Sequence, residues 1–425
     1  MLNNIAIFYK SLEYMGGIER VIVQLSSIFN NAKYNIILLT DTEICKLKDN
    51  IEVQRRTLST VKEQRFNQWK EIINKNDIKY VIIHDATHPF VKDDINVIHE
   101  NNAKVILNIH FSFPSPILFN EAYNSYKTNK EIGELCDAVA TVSQIDSYWW
   151  KGLNCNAFHV QNPFVRNKKG VHLKKEGNTL IWIGRHVEQK QLEEAIYTFK
   201  LIKDKIDNVR LLIVGGSGET KKTKKLTTKL GIYNNIEFIA ERADISDLYQ
   251  RASLHLLTSI TESFCLVIAE AKSFGIPTVM YEIPFLELVQ GENNGLIQTP
   301  RFDRKKLAEA TINLLKDKNK LEDYSKQAYE SLKNFNDGNV LKSWEAIFTV
   351  LENKGNKRVV EENEKYYQII IKELYDAWNY HSQKNVWKID FFDNIERFIG
   401  FSMKTVINKF MLGIIAPIKR IKNKF

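Results

Sequence analysis

Short apolar runs alternate with amphipathic stretches from the start of the chain. Residues 5–9, 36–40, 80–84, 105–110 and 138–143 are continuously apolar in character, as strands of a sheet buried on both faces must be. Between them, 18–29 and 64–74 carry the spacing of helices. The alternation then starts again. Runs at 180–183, 209–214, 236–239, 253–258 and 278–281 are interleaved with helical segments at 192–203, 221–230, 246–250 and 265–274. Strand–helix alternation on this scale predicts parallel, doubly wound α/β sheets, and its restart predicts two of them.

Between the two series lies QNPFVRNKKGVHLKKEGN, polar and basic, with the proline and glycine of a linker. The expected organisation is an N-terminal Rossmann-like domain over 1–163, a linker over 164–178 and a second Rossmann-like domain over 179–350. A helical, basic C-terminal extension follows over 356–425. Sheets of this type bind ligands at the carboxyl ends of their strands, so the expected site is a cleft which the two domains face. In the extension, 358–384 and 389–409 both have helical spacing. The second puts Phe391, Ile395, Phe398, Ile399, Val406 and Phe410 on one face, with Arg397, Lys404 and Asn408 opposite. From Gly400 to Phe425 there are six Lys or Arg residues and no acid. A helix of that kind suits the headgroup layer of an anionic leaflet, or its aromatic face packs back on the first domain.

At 425 residues the chain has room for both domains and the appendage. The net charge of +9 fits phosphorylated ligands or an anionic membrane, and does not choose between them. No nucleic-acid-binding module is visible, so no nucleic-acid partner is expected. Cys45, Cys136, Cys155 and Cys265 lack metal-site spacing, which points to a reducing cytoplasm without disulfides or zinc. The N-terminus enters directly on a strand-like run, with no signal peptide expected. The cleanest apolar run, 410–418, is about half of the ~20 residues a bilayer-spanning helix needs.

The stretch TESFCLVIAEAKSFGIPTV carries the first candidate chemistry. A strand runs into a polar loop, and a helix begins near Phe264, with Gly275 as its C-terminal cap and Pro277 beyond. The backbone amides of Phe264, Cys265 and Leu266 then point out of the helix N-terminus, an anion site suited to phosphate. Glu270 follows further along, with no local Lys or Arg to neutralise it, so it is expected to be unpaired in the protein and to accept from a ribose diol. Glu262 faces the group beyond the phosphate. The alternative is a surface helix, with Glu270 solvated and Glu262 serving the helix dipole. A second loop, GRHVEQK, places Arg185 and Lys190 after a strand, where two cations can clamp a diphosphate or stand as solvated charges. The GGSGE loop at 215–219 fails the dinucleotide pattern at Lys221 and reads as a tight turn. In the first half, Gly16 and Gly17 allow close backbone approach to a ligand; Glu19 and Arg20 could equally be a surface pair on the helix's first turn. His110 ends a strand, as a structural residue or a functional one.

These residues resemble the family-4 retaining glycosyltransferases of GT-B fold. The marks are the glycine pair in GGIER, His110, Asn162-Pro163, the GRxxxxK from Gly184 to Lys190, the Glu262–x7–Glu270 pair, and NNGLI after it. The resemblance covers roughly residues 1–350. It implies transfer of a hexose or N-acetylhexosamine from a nucleotide diphosphate sugar, a UDP-sugar by family weight, with retention at the anomeric carbon. The acceptor implied is a glycan or lipid-linked molecule of bacterial cell-surface polysaccharide synthesis. Arg185 and Lys190 would then hold the diphosphate, Glu262 the donor sugar and Glu270 the ribose, while Gly17 and His110 complete the site. The leaving phosphate would take the acceptor's proton. No cofactor and no metal are implied, and the setting is the cytoplasm, peripheral on the inner face of the membrane. Cys265 and Gln191 depart from the family, which usually has glycine at both places. The reading from another class is a noncatalytic GT-B-like glycan-binding partner or chaperone subunit of a glycosyltransferase complex. Such a protein would be expected to have lost the cations or the paired glutamates.

Overall fold

The computed structural model describes residues 4–13, 16–42, 53–84, 88–118, 122–153, 155–164, 166–167, 177–242, 244–353 and 363–384. Most of the linker, and all of the amphipathic stretch 389–409 with the basic end after it, lie outside the described residues. The chain divides into two compact units. One contains Met1–Tyr14, Ser26–Val160 and Lys342–Phe425; the other contains Met15–Leu25 and Gln161–Leu341. The second unit thus includes the GGIER segment, and the first takes in the helices after residue 341.

The first unit is a seven-stranded sheet of β1 (Asn4–Phe8), β2 (Asn35–Thr40), β3 (Gln54–Thr57), β4 (Ile78–Ile83), β5 (Lys104–Ile109), β6 (Ala138–Thr141) and β7 (Ala157–His159). Its order is β3-β2-β1-β4-β5-β6-β7 and every described pairing is parallel. The inner strands are buried almost throughout, which is why their sequences are aliphatic on both faces. Edge strand β3, QRRT, is exposed at all four positions and has no apolar signature. On the same unit, the helix Asp337–Glu352 brings Trp344 and Phe348 against Phe29, and Phe348 stacks on Tyr80 with centroids 4.3 Å apart. The helix Glu364–Lys384 packs beside the helices at Ser115–Leu118 and Gln144–Gly152.

The second unit has six strands: β8 (Asn178–Ile183), β9 (Val209–Val214), β10 (Ile236–Ile239), β11 (Leu254–Leu257), β12 (Thr278–Tyr281) and β13 (Leu296–Thr299). Their order is β10-β9-β8-β11-β12-β13, again parallel. One core cluster joins Trp182, Phe199, Leu211 and Leu256 to Leu307 and Leu314; another joins Ile181, Leu212 and Val214 to Tyr249, Phe274 and Ile276. Successive strand residues therefore serve opposite faces, with helices on each. Both sheets are Rossmann-like, and in both the strand order reverses at one place, between β1 and β4 and between β8 and β11. Such a switch point opens a crevice at the carboxyl ends of the strands.

Candidate functional site in the second unit

The loops after β8 and β11 meet at that switch point and are laced together by main-chain and side-chain hydrogen bonds. The Ile260 amide donates to the Gln189 carbonyl at 2.9 Å, and Gln189 Nε2 donates to the Thr261 carbonyl at 2.9 Å. The Thr258 hydroxyl donates to the carbonyls of Lys190 and Gln191, both at 3.0 Å, and accepts from Trp182 Nε1 at 3.0 Å. Tight glycine packing supports the base. Gly215, at φ +130°, lies so close to Gly184 that a Cβ would stand 2.1 Å from its carbonyl oxygen. GGSG is thus a packing turn.

This lacing sets Lys190 Nζ 2.6 Å from Glu262 Oε1, with 16% and 7% of the two side chains exposed. Burial works against the Lys190 ammonium, but the charge of Glu262 and its hydrogen bond outweigh burial, and the pKa is raised. Lys190 keeps two further N–H donors for a ligand. Arg185 is exposed and makes no side-chain hydrogen bond among the described residues. Its charge reaches Lys190, opposing the ammonium there.

The helix after Glu262 spans Leu266–Ser273, two residues later than the sequence suggests, and no side chain caps its N-terminus. Its C-terminal end follows the sequence reading. Gly275 sits at φ +64°, its amide donates to Lys272 and that of Ile276 donates to Ala271, both at 2.9 Å, which is a Schellman motif. Phe264 and Cys265 are buried and Leu266 half-buried. Cys265, the N-cap, has φ 64° and ψ 72°; Gln191, between Lys190 and the next helix, has φ 53° and ψ 52°. Both are left-handed, a conformation that costs a residue with a Cβ about 1–2 kcal/mol. The two positions where the resembled family carries glycine are thus the two where this site's backbone favours it.

Glu270 corrects the sequence reading. Far from lacking a protein partner, it accepts from Arg20 Nη1 at 3.0 Å on Oε1 and from the Tyr249 hydroxyl at 2.9 Å on Oε2. Burial pushes its pKa up, and Arg20 and Tyr249 pull against that shift. Arg20 is accordingly not a surface partner of Glu19. Glu19 turns back on Gly16, where an added Cβ would meet its Oε2 at 2.6 Å. Gly17 neighbours the start of the helix, 3.8 Å separating a Cβ built there from Leu266 Cδ1. Nothing in sequence spacing pointed to Arg20 or Tyr249, because their partner lies 250 and 21 residues away.

The second unit thus gathers Gly16, Gly17, Arg185, Lys190, Glu262, Phe264, Cys265, Leu266 and Glu270. His110 belongs to the first unit. There it follows β5, and its Nε2 lies 2.7 Å from His84 Nδ1, with the rings stacked. Burial lowers the pKa of His110 to about 4 and that of His84 well below the ordinary value. His84, which the sequence reading missed, follows β4 at that sheet's switch point.

Two parallel Rossmann-like sheets in one chain define the GT-B fold. The structure matches a crystal structure of Anabaena HepE in complex with UDP-glucose with a TM-score of 0.66 and 16% identity, covering 82% of this chain and 99% of that one. Residues 164–331 match the family model "Glycosyl transferases group 1". The chain is 22% identical over 313 residues to an uncharacterized glycosyltransferase of Haemophilus influenzae, covering 70% of this chain and 86% of that relative. It is 29% identical over 177 residues to a poly(glycerol-phosphate) alpha-glucosyltransferase of Bacillus subtilis; this covers 41% of this chain and 26% of that enzyme's length. Fold and family match together support a glycosyltransferase of GT-B architecture.

Proposed function

We propose that the protein is a retaining glycosyltransferase of family 4 that moves a hexose or N-acetylhexosamine from a UDP-sugar to a glycan or lipid-linked acceptor in bacterial cell-surface polysaccharide synthesis. The observation that carries the proposal is the buried contact of Lys190 with Glu262 at the switch point beside Arg185, which makes no side-chain hydrogen bond among the described residues. A diphosphate meets Arg185 as a fork and Lys190 through its remaining N–H groups. The uncapped helix N-terminus at Cys265–Leu266 adds backbone donors, and Gly16 and Gly17 leave room beside it. Glu262 accepts from hydroxyls of the donor sugar, and Glu270 from the ribose.

In the transfer, the bond between the anomeric carbon and the phosphate oxygen breaks. The acceptor oxygen bonds to the same face of that carbon, and its proton passes to the leaving phosphate. Arg185 and Lys190 stabilise the charge that grows on the nucleotide. His110 is assigned a catalytic part as a neutral imidazole, and no cofactor or metal is assigned one. The basic end of the chain is proposed to hold the enzyme on the inner face of an anionic membrane, near a lipid-linked acceptor. Among the described residues, no helix is long and apolar enough to cross a membrane.

The test is a panel of nucleotide sugars scored by thermal stabilisation, since a bound ligand raises the melting temperature by mass action. A shift with UDP-sugars is expected. Absence of any shift across the panel at millimolar ligand would overturn the reading.

A further inference from the structure

A carboxylate that reads a vicinal diol must be fixed in rotation and left with free lone pairs. Glu270 meets the first requirement through contacts on different elements. Arg20, in the helix Gly17–Asn31, supplies a cation to Oε1. Tyr249, in the helix Ser246–Arg251, donates its hydroxyl to Oε2. The Tyr249 ring is 2% exposed and stacks on Phe274 with centroids 5.0 Å apart and planes at 18°. That ring cannot swing away without disrupting the core beneath it. Glu270 itself keeps 15% of its side chain exposed, so it is anchored yet reachable. An ionised carboxylate offers about four lone-pair sites, and two partners leave about two for a ligand.

We infer that Tyr249 is a positioning residue for nucleotide recognition: its hydroxyl locks the Glu270 carboxylate so that the two remaining lone pairs face the 2′- and 3′-hydroxyls of a ribose. The inference rests on the proposed role of Glu270. Losing the hydroxyl leaves a carboxylate able to rotate about its terminal bond. Geometry toward the diol then degrades, while the diphosphate contacts of Arg185 and Lys190 persist.

The experiment is calorimetric titration of the full chain and of Tyr249→Phe with UDP, 2′,3′-dideoxy-UDP and inorganic pyrophosphate. Hydrogen bonds to a charged acceptor set the expected preference of the wild type for UDP over the dideoxy form at more than about 10-fold. In Tyr249→Phe that preference falls to within about 3-fold, with pyrophosphate affinity unchanged. A wild type that does not distinguish the two nucleotides, or does not bind UDP, overturns the ribose-binding role of Glu270. A wild type that distinguishes them beside a variant that does so equally well overturns the role of Tyr249 alone. Parallel loss of pyrophosphate binding in the variant also overturns it, as general damage to the unit.

Discussion

Replacing Lys190 by Met should cost the free protein about 3 kcal/mol, before any ligand is added. Removing one member of a buried ion pair leaves the other charged and desolvated, at a cost of about 3–5 kcal/mol. The 16% and 7% exposure of Lys190 and Glu262 admits some water, which places the cost at the lower end. For a cooperative unit of this size, each kcal/mol lowers the melting temperature by roughly 2–4 °C, so a fall of about 6–12 °C is expected. Arg185→Met in the same loop removes an exposed cation with no side-chain hydrogen bond among the described residues, and should melt within about 2 °C of wild type. Adding Glu262→Gln to Lys190→Met removes the stranded charge and should recover most of the loss. Both cations should nonetheless weaken UDP binding when removed. Differential scanning calorimetry on the four proteins is the assay. A Lys190→Met melting point within about 2 °C of wild type would refute the claim that the pair is buried and coupled.

Lys272 is buried and donates to the Leu288 carbonyl at 2.8 Å and to Ser331 Oγ at 3.2 Å, with no carboxylate among those partners; burial brings its pKa down to about 7. The unfolded chain holds that proton up to about pH 10.4, so stability rises with pH between about 7 and 10 and is lost as pH falls toward 7. Lys272→Met should flatten that slope, and denaturant titrations at pH 7 and pH 9.5 that show equal slopes for both proteins would contradict it. Cys265→Gly should be tolerated within about 1 kcal/mol, since glycine relieves the left-handed strain and offsets the lost side chain. Cys265→Val should be worse by more than about 1 kcal/mol, because a β-branched residue fits that backbone poorly; equal urea midpoints for the two would argue against strain there. Truncation after Lys388 should abolish sedimentation with anionic liposomes at low salt while leaving UDP affinity intact, and equal pelleting of the two forms would remove the membrane role.

Strands with an apolar run announced themselves: all ten expected runs overlap strands of the two sheets, edge strand β10 among them. Strands β3 and β7 at the edges of the first sheet and β13 at the edge of the second went unseen, because an edge strand such as QRRT or LIQT need not be apolar. The same division holds at the site. Residues carried by one loop after one strand, such as Arg185 and Lys190, or by one strand–helix junction, such as Glu262 and Cys265, were readable because local spacing fixes where they stand. The contacts that decide their chemistry were not. Lys190 meets Glu262 across 72 positions and Arg20 meets Glu270 across 250, and such pairings exist only once the sheet order is known. The expectation that Glu270 lacks a protein partner failed for that reason: a helix's own neighbours were searched for a counter-charge that arrives from another element.

The central claim is that Arg185, Lys190 and the helix N-terminus form a diphosphate site, and the most direct measurement is calorimetric titration of the full chain with UDP and, separately, with uridine. Charge-assisted hydrogen bonds from two cations to phosphate predict that UDP binds at least about 100-fold more tightly than uridine. They also predict that Arg185→Ala loses about 10-fold or more for UDP and nothing for uridine. Equal affinities for the two ligands, or equal losses for both in Arg185→Ala, would contradict the account.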